Sequence, residues 1–78
     1  MNQFDDQGRD TTPITIQFLE RFIHKDGKSI AVSIAINEDI VFLPFSEIEV
    51  QDTGQVSNEK RIINVTMPTW LAQDKRLA

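Results

Sequence analysis

Nucleophilic catalysis needs a Ser, Thr or Lys beside a base. The single imidazole of this chain, His24, stands among Lys25, Asp26 and Lys28, which predicts a solvated turn residue rather than a general base. Glu47 and Glu49 are spaced i, i+2, so a strand would carry both carboxylates on one face. An acid–base pair also needs a cleft that drives the two pKa values apart, and the spacing alone predicts a solvated strand face. Gly8, Gly27 and Gly54 lie too far apart to build a phosphate-cradling loop. Asp5-Asp6-Gln7-Gly8-Arg9-Asp10 is superficially like a calcium loop, but it lacks the spaced oxygen ligands and the closing glutamate. The cysteine count is 0 and the histidine count is 1, which excludes disulfides, thiolate metal sites and a multi-histidine site within one chain. The expectation is a protein that is not an enzyme, with no catalytic residues, no metal and no cofactor.

Binding chemistry is what remains. Glu38, Asp39, Glu47, Glu49 and Asp52 fall in a stretch without a base, while Lys60, Arg61, Lys75 and Arg76 dominate the C-terminal part. A net charge of −4 disfavours general nucleic-acid binding, which draws its affinity from clustered cations that displace counterions from phosphates. Phe18, Phe42 and Trp70 are expected in the core. Phe45 follows Pro44, faces opposite Phe42 in strand alternation, and is the aromatic expected to be exposed as an anchor for a partner.

These residues have to be positioned by a small fold. Seventy-eight residues make one domain, and a core of this size rarely yields more than about 3–5 kcal/mol of net stability. Self-association is the support left open. Met1–Pro13 is polar and acidic and reads as a flexible tail; it lacks the basic start and apolar stretch of a signal peptide. No apolar run reaches the roughly 18 residues of a membrane span. The expected location is therefore the cytoplasm.

From Ile14 the pattern alternates. Ile14, Ile16 and Phe18 predict a half-buried strand, with a helix over Gln17 to Ile23 as the weaker alternative. Asp26-Gly27 predicts a tight turn. Ile30, Val32, Ile34 and Ile36 predict one strand face, with Ala31, Ser33 and Ala35 on a second face that is either solvated or closely approached. Asn37-Glu38 then turns into a strand over Asp39 to Phe45, apolar on both sides, a pattern of central strands or covered interfaces. Pro44 belongs at an edge, a bulge or a strand end. Gln51 to Lys60 reads as a polar loop, Arg61 to Met67 as the last strand, and 68–77 as a short helix starting at Pro68.

Two stretches carry a resemblance. Val41-Phe42-Leu43-Pro44-Phe45-Ser46-Glu47-Ile48-Glu49 and, after a polar linker, Pro68-Thr69-Trp70-Leu71-Ala72 through Leu77 resemble a group of small phage and prophage proteins. In that group a strand ends in apolar-Pro-x-Ser-x-Ile/Val, commonly followed by Glu, and the chain closes on Pro-x-Trp-Leu-Ala with a Lys-Gly-Leu end. The resemblance spans roughly Ile30 to Leu77. It implies a viral or prophage setting and a compact β-plus-helix shape, and no chemistry. Phe45 stands where the group has a lysine, and Arg76 where it has a glycine that would cap the helix.

The whole reads as a flexible tail (1–13) and one mainly β (α+β) domain (14–78). That domain is an antiparallel sheet or partly open barrel of four to five strands with one C-terminal helix. The expected function is a non-enzymatic protein-binding module from a phage or prophage, modulating a host protein, with a homodimer as an option. Phe45, Glu38, Asp39, Glu47 and Glu49 would meet a partner with a basic surface. One alternative is a single-stranded nucleic-acid-binding barrel using Lys25, Lys28, Lys60, Arg61, Lys75 and Arg76; another is a phage structural or assembly component.

Overall fold

The computed structural model describes residues 8–77. They form a five-stranded antiparallel sheet, not closed, with one short C-terminal helix. The strands are β1 (Pro13–Ile23), β2 (Ser29–Ser33), β3 (Val41–Pro44), β4 (Glu49–Ser57) and β5 (Lys60–Pro68). A 3-10 turn at Phe45–Glu47 lies between β3 and β4, and helix α1 (Thr69–Asp74) follows β5. The sheet order is β3-β2-β1-β5-β4, so the first and last strands pair at its centre.

Alternation builds the core directly. Ile14, Ile16 and Phe18 of β1 lie opposite Met67, Val65 and Ile63 of β5. Ile30 and Val32 of β2 lie opposite Leu43 and Val41 of β3. These side chains, with Leu71 and Ala72 of α1, make one apolar cluster. Strand, not helix, is the state of Gln17 to Ile23, and a bulge at Arg21 accounts for the blurred pattern there.

Register shows how far the sheet coils. Pro44 is level with Ser29 at one end, and Glu49 is level with Thr66 and Thr15 at the other, across the full width of the sheet. A flat sheet would separate them by roughly 30 Å. The connection through residues 45–48 spans at most roughly 18 Å. The sheet must therefore curl its core face inward, bringing the β3 and β4 edges toward each other, and Phe45 and Ile48 pack against the core as they cross.

Four expectations are corrected. Phe45 is not exposed: the alternation along β3 holds, but the core lies on the side of Val41, Leu43 and Phe45, while Phe42 is 39% exposed on the other face. Ile34 and Ile36 do not continue β2, because its ladder with β3 ends at Val32–Val41 and residues 34–40 make the connection. Residues 51–60 are not a loop but most of β4 and a two-residue hairpin turn at Asn58-Glu59, both with positive φ. Residues 10–12 are docked: Thr12 O accepts from Thr69 N–H and Oγ1, and Asp10 O accepts from Trp70 N–H. The rest of the expected tail, Met1–Gln7, lies outside the described residues.

Ala31 and Ser33, on the face away from the core, are fully buried. Arg21 explains the close approach: its guanidinium donates to Ser33 Oγ at 3.2 Å and to the Ile36 carbonyl at 3.1 Å, holding the 34–40 connection over that face.

Candidate binding surfaces

The acidic residues singled out in the sequence separate into two places. Glu38 and Asp39 are exposed in the connection before β3. Glu47 closes the 3-10 turn and Glu49 opens β4, and both line a cleft of about 580 Å³ with Arg9, Thr66, Met67 and Trp70.

Each wall of that cleft is held by backbone pairing. Thr66 is in register with Glu49 on one side and with Thr15 on the other, and the two threonine hydroxyls are 2.8 Å apart. Trp70 is positioned by its N–H bond to Asp10 O, at 2.9 Å, and packs partly against the core. Asp10 in turn accepts the Thr12 N–H at 2.9 Å, which lowers its carboxyl pKa and ties residues 10–12 into a turn. Arg9 then lies with its guanidinium carbon 4.2 Å from the centroid of the Trp70 ring, a cation–π stack. Neither Glu47 nor Glu49 has an ion-pair partner among the described residues. The cleft thus combines an aromatic face already in contact with a guanidinium and two uncommitted carboxylates. Its chemistry suits a cation.

The second surface is aromatic. Phe22 of β1, Ala31 of β2 and Phe42 of β3 form one cross-strand row on the face away from the core. The Phe22 and Phe42 rings meet edge to face with centroids 5.7 Å apart, and His24 approaches Phe42 at 6.0 Å. Phe22 is nevertheless 49% exposed. Ile34, Ile36 and Ile40, in the connection before β3, are exposed as well. The sequence signal for this surface was β3's apolar character on both sides, since β3 is an edge strand rather than a central one.

The six basic residues sit on three different elements. Lys25 and Lys28 are in the β1–β2 turn, Lys60 and Arg61 begin β5, and Lys75 and Arg76 follow α1. Arg61 is committed: it forks onto Glu20 at 2.6 and 2.8 Å and reaches Asp52 at 3.3 Å. Glu20, more than Asp52, raises its pKa further. Among the described residues no three His, Cys, Asp or Glu side chains come together as metal ligands. No helix of the described residues is long and apolar enough to cross a membrane. Comparison with protein-family models, curated proteins and solved structures finds no match for this chain.

Proposed function

We propose that this chain is a non-enzymatic protein-binding module, encoded by a phage or prophage and active as a homodimer in the host cytoplasm. Its Trp70 cleft receives an arginine-bearing segment of a host protein. The observation that carries this reading is the stack of Arg9 on Trp70 beside Glu47 and Glu49. A partner's guanidinium would take the same ring face and gain two carboxylates, in a protein whose net charge of −4 already favours approach by cations. Arg9 would then act as a tethered competitor. The phage or prophage setting comes from the two sequence stretches quoted above.

Trp70 is the single tryptophan of the chain, so its fluorescence reports on this cleft alone. Titration with an arginine-rich peptide is expected to shift or quench that emission saturably. Glu47→Gln/Glu49→Gln is expected to weaken the response several-fold, and Arg9→Ala to strengthen it. An acidic peptide and a single-stranded oligonucleotide are expected to leave the emission unchanged. An oligonucleotide response, or none with the basic peptide at millimolar concentration, removes this reading.

A further inference from the structure

The Phe22–Phe42 face carries a charge pattern of its own. Along β2 and β3 it is bounded at one end by the β1–β2 turn, with Lys25 and Lys28, and at the other by the connection before β3, with Glu38 and Asp39. All four side chains are exposed. Among the described residues none of the four has an ion-pair partner. Asp26, the acid within the basic turn, accepts the Lys28 N–H at 2.8 Å, and the Arg21 guanidinium is held by Ser33 Oγ and the Ile36 carbonyl toward the other end. The face is therefore an apolar row whose ends keep opposite net charge, positive at the turn (Lys25 and Lys28 against Asp26) and negative at the connection (Glu38 and Asp39 against Arg21).

Such a polar arrangement is complementary to itself. In a twofold dimer the same patch meets its own copy turned by half a revolution. With the axis lying in the interface plane along the Phe22–Ala31–Phe42 row, the aromatic rows of the two copies meet at the centre. Lys25 and Lys28 of each copy then oppose Glu38 and Asp39 of the other. We infer that the Phe22–Phe42 face is the homodimer interface, packed face to face, with this antiparallel charge pairing fixing its orientation.

The alternative route to a dimer, strand addition at a sheet edge, is opposed by both edges. β3 is four residues long and ends in Pro44, and β4 is broken by an irregularity between Asp52 and Gln55 around Gly54, whose φ is +79°. A face-to-face contact uses neither edge. This inference rests on the homodimer part of the proposed function and is independent of the Trp70 cleft.

Sedimentation equilibrium on the full chain tests it. The wild type is expected to dimerise, and Phe42→Glu to shift the equilibrium to monomer by at least a hundredfold. Because Phe42 is exposed, its fold is expected to persist, which far-UV circular dichroism checks. The charges give a test that does not depend on that variant. Lys25→Glu/Lys28→Glu places acid against acid, and Glu38→Lys/Asp39→Lys places base against base, so each protein alone is expected to be monomeric. Mixed in equal amounts they are expected to form a heterodimer, since each end then finds its opposite. A wild type that stays monomeric at high concentration overturns both this inference and the homodimer reading. A dimer indifferent to Phe42→Glu, or charge variants that do not recombine on mixing, overturns this interface and leaves the homodimer reading standing.

Discussion

Arg76 adopts φ +60°, a left-handed conformation that suits glycine. The hydrogen bonds around it explain why it is held there. Leu77 N–H reaches the Ala72 carbonyl at 2.7 Å and Arg76 N–H reaches the Gln73 carbonyl at 3.0 Å, the two bonds of a Schellman closure. Leu77 then packs against the core, so the turn is fixed by both its bonds and its apolar end. The residue pays a left-handed strain of about 1–2 kcal/mol. A cation at a helix C-terminus returns only about 0.3–1 kcal/mol. Arg76→Gly is accordingly expected to stabilise the protein by about 0.5–1 kcal/mol, raising the thermal midpoint by roughly 2–8 °C. An unchanged or lowered midpoint in a thermal melt would mean that Arg76 makes a compensating contact.

Among the elements, the β4–β5 hairpin is the one the sequence concealed. β4 sits at an edge and exposes most of its residues, so selection for burial leaves only Val50 and Val56 as apolar markers. The irregularity at Asp52–Gln55 breaks even that alternation, and Thr53 Oγ1 spends its hydrogen bond on the Ile62 carbonyl within it. Where both partners of a pair are buried, as at Phe18–Ile63 or Ile30–Leu43, the period of two was plain. The same logic explains the exchange of Phe42 and Phe45: alternation states which residues share a side, not which side the core takes. The Trp70 cleft was legible only in part, since Glu47 and Glu49 stood out but Arg9 lay in a stretch read as a tail. At the hairpin tip, Asn58 and Glu59 have φ +53° and +64°, and glycine suits the second of these positions better than glutamate. Glu59→Gly is expected to raise stability by about 0.5–1 kcal/mol, readable as a higher urea midpoint with an unchanged slope. A fall in the midpoint would show that the Glu59 side chain holds the turn.

For the molecule as a whole, one inward-facing cluster carries the stability. Phe18 is 1% exposed at the centre of the middle strand. Truncating a buried phenylalanine costs about 3–5 kcal/mol, and a domain of this size holds about the same amount in total. Phe18→Ala is therefore expected to unfold the chain at room temperature, seen as loss of the strand signal in far-UV circular dichroism. A folded Phe18→Ala would require stability from outside this core, and a strong dimer is one such source.

The pairing of β1 with β5 also governs how the chain comes into being. Of the five strands, β5 is synthesised last, yet it pairs with Pro13 to Leu19 along one edge of β1. While the ribosome is still making the intervening residues, β1 can pair only with β2, and its other edge stays open. The segment joining Ile23 to Lys60 must then close on itself before the centre of the sheet exists, an entropic cost that sequence-distant contacts impose on folding speed. Folding of this sheet must thus wait until β5 has left the ribosome. Any chaperone or neighbouring nascent chain that meets the protein earlier meets the bare edge of β1.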